Sequence, residues 1–260
     1  MASIKLNCKF YFILLTISTL SLFVYMISMA PDVYSSYVVI SKWGSYGMAN
    51  AQFDAPFSAI VDSSGNVFVA DTINNRVQKF QLSNPCPTGT KQIVSGICFV
   101  TKWGSQGTAN GQFKIPWGIA VDSSGNVFVI DTGNHRIQKF TNSGTFVTKW
   151  GSQGTANGQF EGHRNIAVDS LGNVFVADTE NHRIQKFTNN GNFIGTWGSL
   201  GTSNGQFQYP LGIAVDLSGN VFVADTANHR IQKFTNSGTF VTKWGVLRVL
   251  LMVSLVAQLI

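Results

Sequence analysis

Charge is what this chain has least of: Asp, Glu, Lys and Arg make up 12% of its 260 residues, roughly half the share in an ordinary globular domain. That scarcity argues against a coiled coil or an acidic tail, and the 44% apolar content argues against disorder. Three cysteines and four histidines carry no CxxC-like spacing of the kind that builds zinc sites. The formal charge of +6 is also weaker than it looks. Lys5, Lys9 and Arg248 lie outside residues 31–245, which leaves 15 basic against 12 acidic side chains there. A net +3 gives little support for a nucleic-acid footprint. What is abundant is glycine (26) and phenylalanine (20), the composition of many short strands joined by tight turns.

Residues 10–30, FYFILLTISTLSLFVYMISMA, form an uncharged apolar and hydroxyl run behind Lys5 and Lys9. Such a segment enters a membrane, and residues 1–30 are expected to act as a signal peptide or an uncleaved anchor. Ser28-Met29-Ala30 offers a small-residue cleavage site, Pro31 is a poor fit for cleavage, and a helix of this length could span the bilayer. Either reading places residue 31 onward outside the cytoplasm, secreted or on the cell surface. Cys86 and Cys98 fall in one local stretch, NPCPTGTKQIVSGICF. A disulfide closing that loop is expected, two free thiols being the alternative.

Trp43, Trp103, Trp150, Trp197 and Trp244 are each followed by glycine at intervals of 60, 47, 47 and 47 residues. The period is 47, and the surplus in the first interval is the cysteine-bearing insertion, residues 81–97. Asp62, Asp122, Asp169 and Asp216 keep the register, as do Asp71, Asp131, Asp178 and Asp225. Within 118–150, four strand-sized runs rich in Val, Ile and Phe are separated by SSGN, DTGNH and TNSG, which supply hairpin and side-chain-capped turns. Each unit therefore reads as a four-stranded antiparallel meander. Its second strand, NVFVID, is apolar on both faces, as a strand must be when sheets cover it on both sides. Such sheets stacked around an axis make a β-propeller.

The units GIAVDSSGNVFVIDTGNHRIQKF (118–140), IAVDSLGNVFVADTENHRIQKF (166–187), GIAVDLSGNVFVADTANHRIQKF (212–234) and the weaker AIVDSSGNVFVADTINNRVQKF (59–80) resemble the NHL repeat family, over residues 36–245. The resemblance implies an all-β propeller, typically of six blades, closed by an N-terminal strand that SYVVISKWG (36–44) matches. Four blades are expected, at about 58–104, 118–151, 164–198 and 211–245, two short of the family norm. An open arc would expose sheet faces and favour self-association. Beyond Gly245, residues 246–260 lose the register. Residues Val249–Leu259 can be encoded so that reading one base earlier gives GTANGQFSSPI, which contains the GTANGQF of 154–160. These last residues are therefore expected to be a fifth repeat read out of frame, the alternative being a real apolar tail.

Repetition assigns most polar residues to scaffolding. His135, His182 and His229, with Asn75 in the first unit, read as turn residues rather than a metal ring. The two aspartate sets read as turn caps, and the tryptophans as packing. The basic turn row, Arg76, Arg136, Arg183 and Arg230, offers a surface for RNA, against which the exported location and low net charge weigh. Functional information is expected where the repeat breaks. Of the loops entering the first strand, FDAPFSAI, FKIPWGIA, FEGHRNIA and FQYPLGIA, the third departs: His163 replaces proline, Arg164 an apolar residue, and Asn165 Gly or Ser. With Glu161 and the aromatics Phe57, Trp117 and Tyr209 they form a candidate polar binding spot, drift in one copy being the plainer alternative. No catalytic residue, metal or cofactor is assigned. The leading reading is an exported module for a protein, peptide or glycan. The chain is also similar at repeat level to peptide-amidating lyases, whose channel metal would need several converging His and acidic ligands.

Overall fold

The computed structural model describes residues 42–83, 85–94 and 96–245, together with the backbone of residues 11–18 and 21–28. The N-terminal apolar run, expected as a helix, is instead an antiparallel hairpin of β1 (Tyr11–Ser18) and β2 (Ser21–Ser28). Its Ile, Val, Thr, Phe and Tyr content favours strands. No helix among the described residues is long and apolar enough to cross a membrane.

Four antiparallel sheets follow, one per repeat. The first blade has β3 (Pro56–Val61), β4 (Asn66–Asp71), β5 (Arg76–Leu82), β6 (Lys91–Val94) and β7 (Ile97–Trp103). Its fifth strand, β6, comes from the insertion and pairs on the outer edge of β7. The second blade has β8 (Pro116–Val121), β9 (Val127–Asp131), β10 (Arg136–Phe140) and β11 (Phe146–Trp150). The third has β12 (Asn165–Val168), β13 (Val174–Asp178), β14 (Arg183–Phe187) and β15 (Phe193–Trp197). The fourth has β16 (Pro210–Val215), β17 (Val221–Asp225), β18 (Arg230–Phe234) and β19 (Phe240–Gly245). The first strands β3, β8, β12 and β16 neighbour one another in chain order. Of the expected closing strand at 36–44, residues 36–41 lie outside the described residues. Trp43 enters the core of the first blade without forming a strand.

The core lies between blades rather than within them. Phe68, Ala70 and Val77 of the first blade pack against Ile119, Val127, Val129 and Phe140 of the second. The same positions pack the second blade on the third and the third on the fourth. This is why the second strand is apolar on both faces: Phe68 and Ala70 face the next blade while Val67 and Val69 join the opposite cluster. Polar groups reinforce each junction. Asn142 Nδ2 donates to Asp62 of the preceding blade (3.1 Å), and Lys79 of that blade donates to Asn142 Oδ1. Asn189 and Asn236 repeat the contact with Asp122 and Asp169. Burial alone would raise the Asp122 carboxyl, but hydrogen bonds from Asn126 and Asn189, with Lys139 nearby, bring it net below the usual carboxylate range. Gly144 (φ +88°) fits between these layers because a Cβ there would come within 2.6 Å of Trp103.

Inside each blade a buried aspartate holds the entry loop. Asp131 Oδ1 accepts the Lys114 N–H (2.7 Å). Its Oδ2 accepts from Arg136 Nε (2.7 Å), Asn134 Nδ2 (2.9 Å) and Gln138 Nε2 (3.1 Å). Arg136 then donates to the carbonyls of Thr108, Ala109 and Gln112. The network recurs at Asp71, Asp178 and Asp225 with Arg76, Arg183 and Arg230. The Asp62 set, by contrast, caps the first hairpin: Asp122 accepts from the Ser124 and Asn126 N–H groups.

Cys86 and Cys98 are joined, with 5.6 Å between their Cα atoms, across a separation of 12 residues. Replacing both by serine should cost about 3 kcal/mol of unfolding free energy, read in urea with and without reductant. Asp131→Ala should cost about 3–5 kcal/mol, since it leaves a buried guanidinium unpaired, and a urea midpoint unchanged from the parent would contradict this account.

Candidate functional site

The chain enters each first strand through a left-handed residue: Ala55 (φ 44°), Ile115 (φ 53°) and Tyr209 (φ 54°), with Gly162 (φ 56°) in the third blade. A side chain in that conformation costs on the order of 1 kcal/mol. The preceding blade steadies two of these bends: Asn75 Oδ1 accepts the Ile115 N–H (2.9 Å), and His182 Nδ1 accepts the Tyr209 N–H (3.3 Å). His135, His182 and His229 are themselves left-handed, with φ of 51° to 53°, and so occupy the turn positions expected of them.

These bends bring one repeat position from every blade to the rim of a single cleft of about 380 Å³. Phe57, Trp117, Arg164 and Leu211, in blade order, all line it. Phe57 stacks on Trp117 with centroids 4.1 Å apart and planes at 20°. The Arg164 guanidinium carbon lies 4.1 Å from the same indole. Two groups cannot share one ring face at that distance, so Trp117 is held between them, in a cation–π contact with the arginine. Asn165 and Tyr209 complete the expected set in the cleft.

Glu161 and His163 do not join that set. His163 is fully buried, stacks on Phe160 (4.6 Å) and bonds through Nε2 to the Arg136 carbonyl (3.1 Å). It fills the slot that Pro56, Pro116 and Pro210 take in the other units, which points the imidazole inward. Glu161 faces Gln153 Nε2 (3.2 Å) and His135 Nδ1 (3.8 Å) instead. The arginine row is likewise no surface for RNA, because its guanidiniums donate to aspartates and loop carbonyls. Among the described residues, no three His, Cys, Asp or Glu side chains stand close enough to share a metal. Nδ1 of His163 is buried without a partner and neither His163 nor Glu161 lines the cleft, so these residues do not fit the channel metal the lyase likeness implies.

One cleft residue escaped the sequence reading. Glu180 lines it, with Oε1 4.0 Å from Arg164 Nη2. The signal was present: its repeat partners are Ile73, Gly133 and Ala227. A Cβ on Gly162 would sit 2.5 Å from the Glu180 carboxyl carbon, so the glycine makes room for it.

Four-stranded antiparallel sheets packed face to face in sequence define the β-propeller class. Residues 113–140, 165–187 and 207–234 match the NHL repeat, so three of the described blades carry NHL repeats. It is 33% identical over 94 residues to NHL repeat-containing protein 3 of Homo sapiens, covering 34% of this chain and 23% of that protein. It is 41% identical over 51 residues to the human E3 ubiquitin-protein ligase TRIM32, covering 20% of this chain and 8% of that one. The chain thus spans less than a quarter of the length of these relatives. A solved streptogramin B lyase superposes with a TM-score of 0.57 at 17% identity, covering 93% of this chain and 71% of the lyase, a likeness of fold.

Burial of His163 is the main cause that lowers its pKa from 6.5 to about 4; the nearby His135 adds to this and the bond to the Arg136 carbonyl opposes it. Between those values the unfolded chain takes up a proton that the folded chain refuses. Stability should therefore be full above the ordinary histidine pKa and fall, by up to about 3 kcal/mol, as pH drops toward 4. His163→Pro should remove that part of the acid limb in denaturant titrations across pH 4–7.

Proposed function

We propose that this chain is a non-enzymatic binding module that receives a protein or peptide partner on the face carrying the first-strand entry loops. The observation that carries the reading is the cleft itself: side chains from all four blades meet in it, and its two charged groups stand in the blade whose entry loop departs from the repeat. Elsewhere Tyr46, Met48, Ile73, Ile115 and Leu200 are exposed, as is Tyr209 in the cleft. All lie on the entry loops or on the turns between second and third strands, which share one end of the blades. Exposed apolar and aromatic side chains on the same end as a pocket with few polar groups suit a macromolecular partner.

An extracellular or cell-surface location fits the same reading, since the Cys86–Cys98 bridge belongs to an oxidising compartment and the N-terminal run carries no charge. A glycan would stack on the aromatic rings of such a rim. The charged pair at the cleft's centre favours a polypeptide.

Partners captured by the full chain and identified after cross-linking should be lost when Phe57 and Tyr209 are both changed to Ala. They should be retained when Leu171 and Leu217, in the turns at the opposite end of the blades, are changed instead. Equal retention by both variants would refute the assignment of the face, and capture of glycans from an array in place of polypeptides would refute the partner class.

A further inference from the structure

Three departures from the repeat meet in the third blade, and each explains another. Gly162 stands where the other units carry Ala55, Ile115 and Tyr209, and its missing Cβ leaves the space Glu180 fills. Arg164 stands where they carry Phe57, Trp117 and Leu211, and Glu180 where they carry Ile73, Gly133 and Ala227. Independent drift at three positions would not place the carboxylate of one over the glycine of another and beside the guanidinium of the third.

Arg164 is set but not engaged. Its flat face is held on Trp117, which Phe57 backs from the other side. Its Nε is buried with no hydrogen-bond partner. The acidic neighbour of its outer edge is Glu180 Oε1 at 4.0 Å, beyond hydrogen-bonding distance. The Glu180 side chain is 46% exposed and that of Arg164 29%, so the carboxylate can move into water without dragging packed structure with it. A planar guanidinium immobilised on an indole with its terminal nitrogens toward a cleft matches the two oxygens of a carboxylate. Tyr209 and Trp117 line the same cleft and offer it an apolar wall.

Resting on the reading of this face as a peptide-binding surface, we infer that Arg164 recognises a carboxylate of the partner, an Asp or Glu side chain or a chain terminus. Glu180 is the internal carboxylate that stands 4.0 Å from Arg164 Nη2 and competes with the ligand for the guanidinium. The rival account, in which the pair merely stiffens the loop, predicts the opposite effect of removing Glu180.

The test is selection of a random heptapeptide display library on the full chain, followed by titration of a selected synthetic peptide by tryptophan fluorescence. The variants are Arg164→Leu and Glu180→Ala, each taking the residue the fourth blade already tolerates, with thermal unfolding to verify that they fold. Selected peptides should be enriched in Asp and Glu. Changing the acidic residue to its amide, or Arg164 to Leu, should weaken binding about tenfold or more, whereas Glu180→Ala should tighten it severalfold. Peptides selected without acidic residues, an Arg164→Leu variant that binds as well as the parent, or weaker binding by Glu180→Ala would each overturn the carboxylate while leaving the face as a peptide site. A library from which nothing is selected would overturn both.

Discussion

Each blade hangs on one carboxylate buried away from water. An isolated charge there would be prohibitive, and it is tolerated because every lone pair has a donor. Asp131 gathers an arginine, a glutamine, an asparagine and a backbone amide. The same arginine reaches across to three loop carbonyls. A long, glycine-rich connection that would otherwise wander is thereby fixed to the sheet it precedes, and so is the left-handed bend at its end. Four repetitions of one constraint place four non-identical side chains, Phe57, Trp117, Arg164 and Leu211, at equivalent points around one opening. The scaffold is what repeats, and chemistry enters where the presented residue changes.

The period, the four strands per unit and the two-faced second strand were legible because they depend on local pattern: Val-Phe-Val-Ala flanked by turn residues has few other solutions. The bridge between Cys86 and Cys98 was legible from their isolation in one insertion. Arg164, Asn165, Phe57, Trp117 and Tyr209, singled out by repeat position, are brought together in one cleft. Glu161 and His163 stand apart from that cleft, because neighbours along a bend point different ways and the slot that proline takes in the other units faces the core. Glu180 was missed because it lies on another loop, and only the way sheets stack brings it to Arg164. The arginine row illustrates the same limit: a recurring cation reads as a surface until its buried acceptor is seen.

The first blade is built differently at its far side. Leu82 takes the position at which later blades carry Asn142, Asn189 and Asn236, and the bridged insertion adds β6 to its edge. Leu82, Ile93 and Val94 pack against the cluster that contains Trp43, in the place where the glycine hairpins of later blades cover an indole. Among the described residues, that outer face is covered by apolar packing of the insertion.

The fourth blade has no such finish among the described residues. Trp244 is half exposed, and Thr226 bonds within its own blade to Ala224 where Thr179 reaches the next blade's Pro210. The asparagine contacts that tie each blade to its predecessor run in one direction along the chain, so the assembly has two unlike ends. Because each junction is made by an asparagine of one blade reaching back to an aspartate of the blade before it, the described blades form a polar series, in which a repeat can be added or removed only together with its neighbour's matching half.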